Sequence, residues 1–311
     1  MQRLTLFFTF CLTLIIAAPL TAQLTQLGND IDGEAANDRS GRAISFSADG
    51  SRIAIGAAGN DGVGTGAGHV RIYEYTSGSW TQLGGDIDGE AADDVSGTSV
   101  SLSADGNRVA IGAPQNDNSA GDAGHVRVYQ YAGGSWTQLG NDIDGEDAFA
   151  VSGIAVSISA DGNRVAIGAT GALSNNVLTG HARVWQYNSG LGNWTQLGGN
   201  IDGEAGFDLF GASVALSANG SRLAVGGTHN GGNGAKSGHV RMFEYDANNG
   251  SWIQLGNDID GEDMEDQSGF SVALSADGSR VAIGAPFNDG NGNDAGPVSY
   301  THLTLPTRRF V

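Results

Sequence analysis

The fold class that this sequence predicts is all-β: a β-propeller of four-stranded antiparallel blades, about five of them present. Three observations predict it. Gln-Leu-Gly recurs at 26–28, 82–84, 138–140, 196–198 and 254–256, in steps of 56, 56, 58 and 58 residues. Ser-Ala-Asp/Asn-Gly recurs at 47–50, 103–106, 159–162, 217–220 and 275–278 with the same steps. Two markers that keep one register identify a repeat array. Within each period, apolar and small polar residues alternate between glycine-rich turns without a helical period, which is the pattern of short strands.

The chain opens with Arg3, a nearly continuous apolar run over 4–18, and Leu20-Thr21-Ala22 before Gln23. Residues 1–22 therefore read as a secretory signal peptide. The run is short for a membrane span of about 20 residues, and no later stretch approaches that length, so no retained membrane helix is expected. The expected location is secreted or at the cell surface. The one cysteine, Cys11, lies in the signal. A mature chain without disulfides depends on its core and its backbone hydrogen bonds, which stacked repeats supply.

One unit shows what each copy builds. Residues 98–104 (TSVSLSA) alternate, Asp105-Gly106 is a tight-turn pair, and 108–113 (RVAIGA) resume as a strand, which together make a hairpin. After a Gly/Asn/Asp-rich loop at 115–124, residues 125–131 (HVRVYQY), a turn at 132–135, and 136–140 (WTQLG) make a second hairpin. Four short strands per repeat suit a propeller blade better than a one-strand solenoid coil. Val100, Leu102, Val109, Ile111, Val126, Val128 and Trp136 are the residues expected to pack blade on blade, with Gly112 and Ala113 small where strands crowd. The first Gln-Leu-Gly copy, within 23–31, has no hairpin before it. It is expected to fasten to the last blade of an intact ring.

The fifth unit is regular up to Ala295-Gly296, where other copies continue His-Val-Arg or His-Ala-Arg and this one continues Pro297-Val298-Ser299-Tyr300. Residues 298–307 (VSYTHLTLPT) look like a translated sequencing-library adapter, so 297–311 are read as an artefact and 23–296 as an incomplete repeat domain. The segment is still β-prone enough to occupy a strand position.

Formal charge is −19, with 34 acidic against 15 basic residues, so nucleic acid is not expected as a partner. The acidity raises the question of cation-binding loops. The repeating connector Asp-Ile-Asp-Gly-Glu supplies the candidates: Asp30, Asp32, Glu34; Asp86, Asp88, Glu90; Asp142, Asp144, Glu146; Asp202, Glu204 after Asn200; and Asp258, Asp260, Glu262. Alternating carboxylates around a glycine partly resemble a calcium loop, so calcium is the one candidate cofactor and none is required; an exposed acidic connector also stands without an ion. His69, His125, His181 and His239 recur one per unit and read as structural, since zinc needs several ligands around one ion. Arg52, Arg108, Arg164, Arg222 and Arg280 recur after the turn and are expected to pair locally with carboxylates. The long loops, such as 288–294 (NDGNGND), share one rim and are the expected ligand face.

Phe210-Gly211-Ala212-Ser213-Val214-Ala215, Ser268-Gly269-Phe270-Ser271-Val272-Ala273, Gly112-Ala113-Pro114 and Gly284-Ala285-Pro286 resemble the FG-GAP repeat of the integrin α-subunit propeller, over about 32–296. The resemblance implies seven blades in an intact ring. One departure is plain: where such repeats carry a calcium loop between their first two strands, this chain has a single carboxylate, too few for the six or more oxygens calcium takes. No residue set gathers a nucleophile, a base and an oxyanion site, and no phosphate-cradling loop is present. The expected function is therefore a non-enzymatic extracellular scaffold for adhesion or binding, taking a protein or glycan on its rim loops, with oligomeric state open. The alternative is a propeller enzyme, a hydrolase or lyase, acting on an extracellular polymer.

Overall fold

The alternating segments do pair as antiparallel strands in this computed structural model, which describes residues 25–289, 296 and 298–302. In the first blade Ala43–Phe46, Arg52–Ala57, His69–Thr76 and Ser79–Gln82 pair in chain order. The second (Ser99–Leu102, Arg108–Ala113, His125–Ala132, Ser135–Gln138), third (Ala155–Ile158, Arg164–Ala169, His181–Asn188, Asn193–Gln196) and fourth (Phe210–Leu216, Arg222–Gly227, His239–Asp246, Ser251–Gln254) repeat this order. Each first hairpin closes on Asp/Asn-Gly. Gly50 takes φ +71°, and Asp49 Oδ1 accepts bonds from Ser47 Oγ, Ser51 N and Ser51 Oγ. These bonds hold the exposed Asp49 carboxyl down at about 2, because each donor favours the ionised form. The lone carboxylate of this turn is thus satisfied by its own loop.

The fourth strand is broken. After Gln82 the chain bends away and returns as Ile87–Asp88, which pairs with Val70 and His69 of the third strand. The same return occurs at Ile143–Asp144, Ile201–Asp202 and Ile259–Asp260. The first part of each acidic connector is therefore strand, and only its glycine and glutamate pass to the next blade.

The blades stack side by side. Val70 and Ile72 of the first blade share one cluster with Val100, Leu102, Val109 and Ile111 of the second, while Val126 and Val128 pack on Ile158, Val165 and Ile167 of the third. Burying each of these side chains contributes about 1.5–3 kcal/mol. In the second, third and fourth blades the fourth-strand tryptophan fastens its blade to the one before: Trp136 Nε1 donates to Leu83 O, Trp194 Nε1 to Leu139 O and Trp252 Nε1 to Leu197 O, all at 2.7 Å. At the Asp/Asn-Gly turns, Ala48 N donates to Ala104 O, Ala104 to Ala160, Ala160 to Ala218 and Ala218 to Ala276, at 2.8–2.9 Å. Gly112 is small for a specific reason: a β-carbon there would overlap the Gly153 carbonyl of the next blade. The crowding is between blades.

The fifth sheet has three strands, Ser271–Leu274, Arg280–Gly284 and Val298–His302, so the departing tail segment occupies the third-strand position. Residues 25–34 form no strand and lie against the first blade, where Leu27 O accepts from Trp80 Nε1 and Asp32 O from Arg71 Nη2. Among the described residues this segment pairs with no strand of the fifth sheet. The signal at 1–22, loop residues 290–295 and the end of the tail lie outside the described residues. Among those described, no helix is long and apolar enough to cross a membrane.

Candidate functional site

The third strand of each of the first four blades starts at the rim that carries the long loops and the acidic connectors. Its first residue is the repeated histidine, and its third is an arginine on the same face: His69 and Arg71, His125 and Arg127, His181 and Arg183, His239 and Arg241. Alternation along a strand aims both toward the preceding blade. There the arginine reaches 39 residues back: Arg71 donates to Asp32 O, Arg127 to Asp88 O and Arg183 to Asp144 O at 2.7 Å, and Arg241 to Asp202 O at 2.9 Å. It also pairs with the incoming glutamate, Arg71 with Glu34 and Arg127 with Glu90 at 3.5 Å, and Arg183 with Glu146 at 3.3 Å.

The acidic candidates regroup accordingly. Among the described residues, the acids that converge come from two successive connectors with one histidine: Glu34, His69 and Asp86; Glu90, His125 and Asp142; Glu204, His239 and Asp258, the atoms of each set within 4.8 Å of one another. The first acid of a connector turns back to its own blade, where a glutamine holds it, as Gln138 Nε2 holds Asp142 Oδ1 at 2.6 Å and Gln26 Nε2 holds Asp30 Oδ1 at 2.8 Å. The second lies in the returning strand beside histidine: Asp88 opposite His69, Asp144 opposite His125 and Asp260 opposite His239. The last crosses to the next blade, except that Glu262 meets Asn288 of the fifth blade, whose third strand brings no matching histidine.

The histidines are almost wholly enclosed. Neither ring nitrogen of His125, His181 or His239 has a hydrogen-bond partner, nor does Nε2 of His69. Burial, with the neighbouring guanidinium, holds His181 down at about 4; burial also lowers His125 and His239. All three are neutral imidazoles at pH 7. In the fourth blade, burial raises Glu204, and Asp258 adds to the effect against Arg241.

A second repeated pair escaped the sequence reading. Asp94 is buried, accepting from Ala91 N at 2.9 Å and from Asn116 Nδ2 at 3.1 Å. Asp38 with Asn60, Asp208 with Asn230, and Asp266 with Asn288 repeat it. In the third blade both partners are alanine, Ala150 and Ala172, buried against each other. Comparing the repeats column by column exposes that joint replacement.

The third blade departs elsewhere too. Its long loop carries an extra hairpin, Leu173–Ser174 with Val177–Leu178. Ser174 Oγ donates to Asp202 Oδ2 at 2.8 Å, and Asp202 Oδ1 lies 4.0 Å from His181 Nδ1. Beside it, Asn200, Asp202, Arg241, Phe243 and Trp252 line a notch of about 290 Å³ between the third and fourth blades.

The after-turn arginines are expected to meet carboxylates locally, and Arg52 with Glu74 at 2.8 Å and Arg222 with Glu244 at 3.2 Å do so. The shared contact is different: Arg52, Arg108, Arg164 and Arg222 each reach the turn of the next blade, Arg52 to Asn107 Oδ1, Arg108 to Asn163 Oδ1, Arg164 to Gly220 O and Arg222 to Gly278 O.

No protein-family model matches the chain, and no curated protein matches its sequence. Solved structures do. A Bacteroides uniformis protein assigned as a 6-phosphogluconolactonase superposes with TM-score 0.54 at 14% identity, over 87% of this chain and 74% of that one. The Pseudomonas aeruginosa periplasmic gluconolactonase gives 0.52 at 18%, over 78% and 64%. Kuenenia stuttgartiensis hydrazine synthase gives 0.51 at 15%, over 78% of this chain, which spans 61% of that chain's length. These likenesses carry the propeller fold. They also correct the FG-GAP, integrin-like reading, because the propellers named are two lactonases and a hydrazine synthase and none is of integrin type; glycine and alanine at blade contacts are demanded by any close blade packing and do not single out one family. The non-enzymatic adhesion scaffold drawn from that resemblance is corrected with it, and the propeller-enzyme alternative agrees better with these neighbours.

Proposed function

We propose that this chain forms the body of a propeller hydrolase that opens cyclic esters, with its reacting centre in the notch between the third and fourth blades. The observation that carries this reading is the gathering, around that notch, of the polar residues that break the repeat. Asn200 replaces an aspartate, Ser174 sits on the inserted hairpin, and both flank Asp202 across from Arg241. Repeats maintained for packing alone have no reason to diverge together at one junction.

Ser174 holds Asp202 Oδ2 and leaves Oδ1 to orient a water and take its proton as the water attacks the ring carbonyl. The Arg241 guanidinium, fixed by Asp202 O and Gln254 Oε1, faces the oxygen on which negative charge develops. Collapse of the tetrahedral intermediate breaks the ring C–O bond, and the departing alkoxide recovers the proton from Asp202. Phe243 and Trp252 supply the apolar wall of the notch. The lactonase names of the neighbours support a lactone as substrate class.

The test follows proton release from glucono-δ-lactone and from an unsubstituted δ-lactone. Turnover above the spontaneous rate is expected, with Asp202→Asn lowering kcat/KM about 10²-fold or more and Arg241→Lys lowering it without loss of fold. No turnover, or an unaltered Asp202→Asn variant, refutes the reading.

A further inference from the structure

The first, second and fourth blades each gather two carboxylates and one buried imidazole within 4.8 Å, and the third blade shows what the fold does when one of the carboxylates is removed. In the second blade Arg127 pairs with Glu90 Oε1 and Gln138 holds Asp142 Oδ1. The other oxygens, Glu90 Oε2 and Asp142 Oδ2, face His125 Nδ1 at 3.8 and 4.0 Å. Glu90 Oε2 also accepts from Asn118 Nδ2. In the first blade Glu34 Oε2 lies 3.8 Å from His69 Nδ1, and in the fourth Asp258 Oδ2 lies 3.4 Å from His239 Nδ1. Tetrahedral ligands around a zinc-sized ion stand about 3.3–3.5 Å apart, given metal–ligand distances of about 2.0–2.2 Å. The nitrogen–oxygen separations observed, 3.4–4.0 Å, lie near or somewhat above that spacing, and all the atoms of each set lie within 4.8 Å of one another, so a small inward rotation of the carboxylates closes the set on an ion.

The third blade has the same glutamate, histidine and arginine, but Asn200 for the aspartate. Gln196 still holds Asn200 Oδ1 at 2.8 Å, and Asn200 Nδ2 donates to Glu146 Oε2 at 2.8 Å. The amide proton fills the position between the two oxygens that is left open elsewhere. The same blade has also lost the buried acid, Ala150 replacing the counterpart of Asp94 and Asp208, whose charges act on His125 and His239. Two negative groups are absent where an N–H takes the central position.

We propose that the first, second and fourth blades each bind a divalent transition-metal ion through the histidine Nδ1 and one oxygen from each of two carboxylates, and that the Asn200 amide replaces the ion in the third. A neutral imidazole selects such an ion over calcium, which takes oxygen ligands. Water completes the coordination from the solvent side of the exposed carboxylates. The ion ties a connector to the blade it enters, a role separate from the hydrolase reading.

The experiment loads the full chain with zinc, removes the excess and measures bound metal per chain, with calcium in parallel. The wild type is expected to retain three zinc ions, Asp142→Asn two and Asn200→Asp four. Asp142→Asn recreates the third-blade arrangement, so it should fold; circular dichroism and the unfolding midpoint verify this. His125→Gln is also expected to retain two. Retention of no zinc, a zinc content unmoved by these substitutions, or saturation by calcium in its place overturns the proposal. Lactone turnover is measured on the same samples, so loss of metal and loss of activity are read separately.

Discussion

At the scale of single residues, the repeated histidine is the most consequential side chain, because it is buried neutral. The unfolded chain takes up a proton near His181's ordinary value of 6.5, whereas the folded chain takes it up only near 4. The unfolded state therefore binds more protons between these values, so stability is complete above about pH 6.5 and falls as pH drops through that window. The single residue accounts for about 3 kcal/mol at full protonation. Urea midpoints at pH 7 and pH 5 should differ less in His181→Gln than in the wild type; an equal difference would show that this residue does not set the acid slope. The Asp94–Asn116 pair gives a second expectation. Asp94→Ala leaves the buried Asn116 amide and the Glu90 and Ala91 N–H groups without their acceptor and is expected to cost about 1–3 kcal/mol, while adding Asn116→Ala costs less than the sum, since Ala150 and Ala172 already pack together in the third blade. A double-mutant cycle with coupling above about 1 kcal/mol is the expected result, and strict additivity would refute it. The sequence made both histidine and acids visible as repeated columns. Grouping the acids by connector hid their arrangement, because the returning strand sends the first acid back to its own blade and the glutamate forward to the next.

At the scale of elements, the strands follow from alternation and the turns from Asp-Gly, and both were legible. The reason for the small residues was not, since only the stacked blades show what lies against them. Gly112→Ala drives a β-carbon into the Gly153 carbonyl, which is backbone and cannot rotate away, so a loss of about 2–3 kcal/mol is expected. Gly121 faces open space at ordinary φ, and alanine there should be neutral or slightly stabilising. Thermal unfolding of the two variants decides; equal midpoints would mean that blade contact does not constrain Gly112. The broken fourth strand belongs to this scale as well. Its return at Ile87–Asp88 pairs only two residues, too few to stand out from the acidic run around it.

At the scale of the whole molecule, stability is carried by contacts between neighbouring blades. Ser99–Leu102 alternates half-buried and buried residues between two blades, whereas Ser271–Leu274 alternates exposed and half-buried ones. Amide exchange is therefore expected to be faster at Ser271–Leu274, and equal protection would contradict a stability built blade by blade. The sequence by itself determined the repeat, the four-strand blade, the turn chemistry and the identity of the recurring polar residues, because periodicity and local backbone preference act over a few residues. Tertiary structure alone decided which of those residues meet. Glu90, His125 and Asp142, or Ser174, Asp202 and Arg241, come from separate strands and connectors, and only the stacking of one blade on the next brings their side chains within reach.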